Sequence, residues 1–443
     1  MHRGRVFSRR LIVSCRIDGV MSRAINNLQP EETELPQWRP PSGSFLGVYY
    51  IETPNDLART AEFIAREESA GSWSGEGSPP ELYARSVASV HDVLEIAPGQ
   101  GFAAVAFPTS NLPDRGSLFT AIWLYLTAGP LFERPFADVV RLADVALPED
   151  VLRAFRGPRF GVKGTRAWLG KGGEALVFGA IVKPGAGLTP DEVATRCAAA
   201  ATGGIDLIKD DEKMNNPSYC PLVERVHAVS RVLRRVRDET GHPVIYCAHV
   251  TGRPDEMLRA ARDAVRAEAT GLMVNVFAAG LASLQMLSED EEVGVPIYVH
   301  SGGRSVLSQR PGFGIETRVF AKFVRLLGGD YLDLYAQGGY LRSGTVADAQ
   351  GLAAVLRHPW GNVTPVLPTC SGGLTARTLP TNYAAFGRDI LPMAGSAIFG
   401  HPLGPAAGVA ALRQAAESYS AGIPLEEYGR RHPELAAALR GSL

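Results

Sequence analysis

Gly203-Gly204-Ile205-Asp206-Leu207-Ile208-Lys209-Asp210-Asp211-Glu212 is an apolar run that ends in one amine and three consecutive carboxylates. Side chains alternate along an extended strand, so Ile205, Leu207, Lys209 and Asp211 should share one face and Ile208 the other. Glu212 follows at the turn, where the chain can swing it back. Several oxygen ligands around one point suit a hard cation such as Mg²⁺. The lysine is the odd member, because an ammonium repels a metal. A neutral lysine that has captured CO₂ as a carbamate would instead be a third anionic ligand. The competing reading is a charged loop facing water, the usual fate of a charge run. The position of the run in the fold decides between them.

That position follows from the pattern on either side. Short apolar runs recur at Leu176–Lys183, Ile205–Asp211, Val244–Val250, Leu272–Phe277, Val295–His300, Tyr331–Ala336, Val363–Pro368 and Ile390–Gly395. Helical patterns separate most of them. Thr189-Pro190-Asp191-Glu192 has the form of a capping box with proline at the first helical position. Leu222 to Thr240 and Pro254 to Ala267 are amphipathic. Eight strands alternating with crossover helices predict an α/β fold, a (β/α)₈ TIM barrel. A doubly wound sheet is the alternative, but its GxGxxG is missing after the first strand. Residues 151–443 are assigned to the barrel and a C-terminal helical extension.

Ahead of it, Leu46–Ile51, Val90–Ile96, Phe102–Phe107 and Phe119–Leu126 read as strands or buried runs, and Pro54–Glu68 as a helix. Residues 45–150 therefore form a small α+β (ferredoxin-like) domain with an antiparallel sheet. Residues 1–44 read as a disordered tail and linker. The arginine-rich start surrounds an apolar patch, Leu11-Ile12-Val13, too short for a secretory signal. A tail, or a start codon placed too early with Met21 or a later residue as the true beginning, accounts for it.

Composition limits the function. The chain has 443 residues, is 45% hydrophobic and carries a net charge of -1, so neither nucleic acid nor a membrane surface is implied. Five scattered cysteines without a CxxC pair argue for a reducing, cytoplasmic setting and against a disulfide framework or a zinc site.

In a barrel of this kind, chemistry sits at the C-terminal ends of the strands. Those ends read Lys183, Lys209/Asp211/Glu212, His249, Asn275, His300, Asp333, Ser371-Gly372-Gly373 and Gly395-Ser396. Lys183 in a partly closed site can lose its proton and serve as a base. The glycine-rich ends after the seventh and eighth strands let backbone N–H groups approach an anion such as phosphate. Each has a plain alternative: a surface lysine, a packed histidine, a tight turn.

These segments together resemble the RuBisCO large-chain superfamily. The resemblance runs from about residue 45 to the end, over six ordered motifs. It implies that Lys209 is the carbamate lysine, that Asp211 and Glu212 complete an Mg²⁺ site, and that Asp210 is a bystander. It makes Lys183 the lysine that enolises substrate and His300 the strand-5 histidine. Ser371, Gly372, Gly373, Gly395 and Ser396 match the phosphate-binding segments of strands 7 and 8. Glu67, Ser72 and Trp73 match an N-terminal segment that reaches into a neighbouring subunit's barrel, which implies a homodimer with shared sites, or a higher oligomer.

The departures point away from carbon fixation. The loop after the sixth strand carries Tyr340 near the position of the lysine that steers CO₂ in carboxylases. The second phosphate site has Ser301 in place of its arginine and Asp333 in place of its histidine. Gly185 replaces a second strand-1 lysine, and Tyr125 stands where an active-site asparagine is expected. The chain thus resembles a RuBisCO-like protein of form IV. The resemblance implies a non-carboxylating Mg²⁺-dependent enzyme that enolises a keto-sugar monophosphate, of the enolase or isomerase type. The alternative is a decarboxylase, or a transcarboxylase or hydrolase, acting on a branched 3-oxo sugar-acid phosphate. A true ribulose-bisphosphate carboxylase and a catalytically silent barrel are the readings these residues disfavour.

Overall fold

The computed structural model describes residues 37–71, 80–114, 116–132, 136–173, 175–308, 312–341 and 346–441. The N-terminal unit is a twisted sheet of β1 (Ser44–Glu52), β2 (Ser89–Ala97), β3 (Gln100–Pro108) and β4 (Val139–Ala146). These strands are antiparallel neighbours in the order β4-β1-β3-β2. The helix Leu57–Glu67 begins at Asp56, whose side chain accepts the Arg59 N–H. It buries Leu57, Ala61, Ile64 and Ala65 against the sheet, the face expected from their spacing. Trp38 packs on the opposite sheet face and donates its indole N–H to Asp92 at 2.7 Å.

The run at Phe119–Leu126, grouped above with the strands, is instead a helix, Leu118–Thr127. Nearly every residue in it is apolar, so period two and period 3.6 fit equally well. Packing decides: Leu118, Phe119, Ile122 and Leu126 form one buried helical stripe, while Leu124 on the other side is 58% exposed. Tyr125 is therefore a helix residue, and its ring packs near Phe45 and Phe107.

The second unit is a closed barrel of eight parallel strands. These are β5 (Gly179–Ile181), β6 (Leu207–Lys209), β7 (Ile245–His249), β8 (Gly271–Asn275), β9 (Ile297–His300), β11 (Tyr331–Tyr335), β12 (Leu367–Ser371) and β13 (Leu391–Ala394). The missing number, β10 (Phe313–Ile315), lies between β9 and β11 in sequence but pairs in parallel with β4. It ties the barrel to the N-terminal sheet. Seven of the eight strands lie within the expected runs or begin one residue before them. The exception is β12, which starts at Leu367, deep in the expected Val363–Pro368.

Inside the barrel, Leu207, Ile245, Cys247, Met273, Tyr298, Tyr331, Leu367, Leu391 and Met393 form one packed cluster. Leu169, after the helix Gly161–Trp168, belongs to the same cluster. This fills the lower barrel and leaves the polar residues at the C-terminal rim. Ile208 joins the outer cluster, as its parity requires, but so does Ile205. Ile205 precedes β6, so strand alternation does not govern it. The capping box forms at Thr189 and Glu192, with Pro190 opening the helix Pro190–Thr202. No described helix is long and apolar enough to cross a membrane. Cys197, Cys220, Cys247 and Cys370 are free and buried.

Candidate active site

The first three residues of the charged run are not solvated. Lys209, Asp210 and Asp211 are 1%, 0% and 1% exposed. β5 and β6 lie in register with Ile181 opposite Lys209, so residues just past either strand meet at the rim. Lys183, two residues beyond β5, places its Nζ 2.5 Å from Asp211 Oδ2. Burial lowers the lysine's proton affinity, but the hydrogen bond and charge of Asp211 outweigh it and hold the pKa above its usual value. The Asp211 carboxyl is held below its usual range, burial being outweighed by the Lys183 hydrogen bond. Gly395 makes room for this lysine, since a Cβ there would stand 3.1 Å from Lys183 Cε. A Cβ at Gly185 would stand 2.6 Å from the Asp211 carboxyl carbon, so a side chain at that position would have to displace Asp211.

Lys209 is in a different state. Its Nζ donates to the Asp210 carbonyl at 3.0 Å and lies 5.5 Å from the centre of the Tyr298 ring. Burial dominates and lowers its pKa, despite the nearby charges of Asp333, Glu212 and Asp211. An amine held this way is biased toward its neutral form, which is the form that adds CO₂. Among the described residues no three His, Cys, Asp or Glu side chains group to hold a metal. A carbamate on Lys209 beside Asp211 and Glu212 would make an all-oxygen donor set, the kind that suits Mg²⁺.

Between Lys209 and Asp211 lies Asp210, which is the hub of a buried network. Its Oδ1 accepts from Tyr246 Oη at 2.7 Å, and its Oδ2 from the His249 N–H at 2.9 Å and Arg225 Nε at 3.1 Å. Arg225 is itself fully buried and also donates to the Cys220 carbonyl at 2.7 Å. Asp210 is thus no bystander in the fold: it clamps the end of β6 to β7 while Lys209 faces the lumen. Sequence parity alone could have placed it outside the lumen; its partner, fifteen residues away on the helix Leu222–Thr240, left no local signal. His249 donates from its backbone to this hub, and its ring pairs with Thr251 Oγ1 at 2.6 Å.

His300 ends β9 opposite Asn275 at the end of β8. Its Nδ1 faces two donors, the Gly302 N–H at 3.2 Å and Asn275 Nδ2 at 3.4 Å. Burial, reinforced by the charge of Lys209, lowers its pKa to about 3, so the ring is neutral at pH 7. A neutral imidazole that accepts at Nδ1 carries its proton on Nε2. That Nε2 lies 3.7 Å from Glu212 Oε2, so His300 presents an N–H donor toward the Glu212 carboxylate.

Asp333 on β11 is buried beside these groups. Burial raises its pKa to about 6, although the charge of Lys209 opposes this. Ser371 Oγ donates to Asp333 Oδ2 at 2.9 Å, so that serine is committed to a carboxylate. Gly372 and Gly373 have φ of 89° and 97°, which side chains rarely adopt. Their Cβ positions are occupied by Leu341 and Tyr340 of the loop after β11. In this arrangement the glycine pair receives that loop. Gly395 and Ser396 follow β13, with Ser396 exposed at the rim.

Glu67 ends the helix Leu57–Glu67, with a side chain 10% exposed and 3.7 Å from Arg66. The neighbouring Glu68 is a structural residue that sequence reading missed. Its carboxylate accepts the N–H groups of Gly129 and Leu131, both at 3.0 Å. Ser72 and Trp73 lie outside the described residues.

Comparison with known proteins accounts for both units. Residues 161–441 match the ribulose bisphosphate carboxylase large chain, catalytic domain, and residues 36–151 match its N-terminal domain. A ribulose bisphosphate carboxylase-like protein of Allochromatium vinosum is 33% identical over 410 residues, 88% of each chain. The octameric Rubisco of Pyrococcus horikoshii superposes with a TM-score of 0.84 at 31% identity, covering 91% of this chain and 94% of that one. A rubisco-like protein from Burkholderia fungorum gives 0.80 at 30% identity, covering 90% and 99%. The two matched domains, the shared architecture and RuBisCO-like relatives of this similarity place the chain in the ribulose bisphosphate carboxylase large-chain family, as a RuBisCO-like, form IV member.

Proposed function

We propose that this protein is an Mg²⁺-dependent, non-carboxylating enzyme that enolises a keto-sugar monophosphate. The observation that carries the reading is the convergence at one rim of Lys183, Asp211 and buried Lys209, with Lys183 Nζ 2.5 Å from Asp211 Oδ2. Asp211, Glu212 and the carbamate of Lys209 would hold Mg²⁺, which supplies Lewis-acid charge for the oxygens of the substrate. Lys183 is the base that removes the α proton. It is kept protonated while Asp211 is its partner. With Asp211 engaged elsewhere, the hydrogen bond and charge that raise its pKa are lost, and burial then favours the neutral amine against the remaining charges of Glu212 and Tyr340. His300 donates its Nε2–H to a substrate oxygen and, being neutral, does so without adding a charge.

Two features support a reaction other than carboxylation. Tyr340, 82% exposed, occupies the loop where a CO₂-steering lysine would be needed. Buried Asp333 stands where a second phosphate would bind, and carboxylate charge repels a dianion. The phosphate of the substrate is assigned to the rim after β12 and β13, with Ser72 and Trp73. The loop that now rests on Gly372 and Gly373 would have to yield to it. We further assign the functional unit to a homodimer in which Glu67 approaches the other subunit's Lys183.

The test is solvent deuterium exchange at the α carbon across a panel of ketose monophosphates, with Mg²⁺ and bicarbonate. Exchange is expected with at least one of them. It should fall by about 10²–10⁴-fold in Lys183→Met, the range for a general base. It should also be lost after CO₂ removal and in Lys209→Met. Exchange that survives decarbonation would sink the carbamate, and a monomer in solution would sink the shared site.

A further inference from the structure

Asn275, at the end of β8, has every polar atom of its side chain engaged. Its Oδ1 accepts the N–H groups of Phe277 at 2.9 Å and Ala278 at 3.2 Å, and so caps the short helix Val276–Ala279. Its Nδ2 faces the Gly302 carbonyl at 3.0 Å and His300 Nδ1 at 3.4 Å. Backbone N–H groups only donate and a backbone carbonyl only accepts, so these partners leave the amide one orientation. Turned over, it would set its NH₂ against two donors and its oxygen against the Gly302 carbonyl. The amide therefore presents a donor to His300, and the ring accepts it at Nδ1.

A second side chain holds Asn275 in place. The Asn275 backbone N–H donates to Thr251 Oγ1 at 2.9 Å, and Thr251 is buried. The same oxygen lies 2.6 Å from His249 Nε2, and the His249 N–H is bonded to Asp210. A hydroxyl has one proton and two lone pairs, so Oγ1 can accept from Asn275 and share a hydrogen bond with the His249 ring at once. The contacts thus run from Asp210 after β6, through His249 and Thr251 at and beyond the end of β7, to Asn275 on β8 and His300 on β9. These four strands are consecutive around the barrel wall, and Asn275 stands opposite His300 in register.

We propose that Asn275 is a positioning residue, aligned by Thr251, that sets His300 as a hydrogen-bond donor toward the substrate and bars it from acting there as a base. This rests on the enolisation reading above, in which His300 touches a substrate oxygen, and adds what fixes the direction of that hydrogen bond. With donors at Nδ1, the proton of the neutral ring sits on Nε2, the nitrogen that faces Glu212. An Nε2 that carries a proton has no lone pair with which to take the α proton, so that step is left to Lys183. A ring with its proton on Nδ1 would instead set a lone pair against the substrate oxygen and repel it.

Asn275→Asp separates positioning from support. A carboxylate keeps the acceptor bonds that cap the helix, but it meets His300 Nδ1 with an acceptor. The proton should then move to Nδ1, because a bond to a charged acceptor is about twice as strong as the neutral one from Gly302 that competes with it. Magic-angle-spinning NMR of ¹⁵N-histidine-labelled protein reads this directly, since protonated and bare ring nitrogens resonate far apart, and His300→Gln assigns the signals. Wild type should show Nδ1 bare and Nε2 protonated, and Asn275→Asp should show Nδ1 protonated. With whichever ketose monophosphate exchanges its α proton, kcat of Asn275→Asp should fall by about 10²–10³-fold, the range for losing one donor to a developing oxyanion, with KM within about threefold. Thr251→Ser, which keeps the hydroxyl, should match wild type in both readouts. Thr251→Val should give a mixture of the two tautomers and lose about tenfold in kcat, the worth of one hydrogen bond. A protonated Nδ1 in wild type, an unmoved proton in Asn275→Asp, or undiminished exchange despite a moved proton would overturn the proposal and leave the enolisation reading standing. Wild-type behaviour of Thr251→Val would overturn the part given to Thr251. No exchange by wild type with any ketose would overturn the enolisation reading, while the NMR comparison still decides what orients the ring.

Discussion

Replacing Asp210 by asparagine tests whether the buried clamp beneath the site is held by charge. The side chain keeps its size, but the charge opposite Arg225 is lost. Both partners are 0% exposed, so no water can replace the missing interaction. Arg225 would keep the Cys220 carbonyl at 2.7 Å and the Met214 carbonyl at 3.3 Å, and lose its only described carboxylate. The new amide group would also set N–H donors against one of the donors Asp210 now satisfies, Tyr246 Oη, the His249 N–H or Arg225. Breaking one side of a buried ion pair costs about 3–5 kcal/mol. Removing both charges, as in Asp210→Asn with Arg225→Met, relieves the orphaned guanidinium. The double variant should therefore be more stable than the sum of the singles predicts by at least about 2 kcal/mol. Urea unfolding at fixed protein concentration measures all four proteins of the cycle, with a barrel-specific probe because the chain has two units. A cost below about 1 kcal/mol for Asp210→Asn, or additivity in the cycle, would refute the argument that this pair is dry and coupled.

Two further outcomes follow from local geometry. Burial holds His249 neutral, with its pKa lowered to about 4 from an unfolded value of about 6.5. The unfolded chain therefore binds a proton that the fold refuses, and stability attributable to this residue is lost as pH falls from about 6.5 to about 4, up to roughly 3 kcal/mol. The pH slope of stability over that window should be shallower by up to one proton in His249→Gln; an unchanged slope would remove His249 from the account. At Gly179 on β5, a Cβ would stand 1.9 Å from Met393 Sδ. Gly179→Ala should destabilise the barrel by about 1–3 kcal/mol through overpacking, and Met393→Ala in the same chain should recover part of it; a neutral Gly179→Ala would show that β5 and β13 have slack there.

Much of this molecule was legible in its sequence because the signals are local. Strand parity put Leu207 and Lys209 on the lumen face and Ile208 outside, and the structure agrees. The capping box at Thr189 needs only four consecutive residues, and it formed. Local signals also failed where they were degenerate. The almost wholly apolar Phe119–Leu126 fits either period, and only its packing beneath the sheet makes it a helix.

The sequence by itself determined the architecture and the identity of the groups at the strand ends, because periodicity and side-chain chemistry are written residue by residue. The tertiary structure decided what those groups experience. Burial makes Lys209 a lowered-pKa amine, while the Asp211 carboxylate at the adjacent strand end, accepting its hydrogen bond, makes Lys183 the opposite. Two donors at Nδ1, from β8 and from the turn after His300, fix which nitrogen of that ring carries its proton. Asp210 became the clamp of the site, and Arg304 came to lie over the Tyr335 ring, through contacts with residues distant in the chain or folded back across the rim. Desolvation and pairing depend on what lies within a few ångströms in space, and no spacing along the chain encodes that.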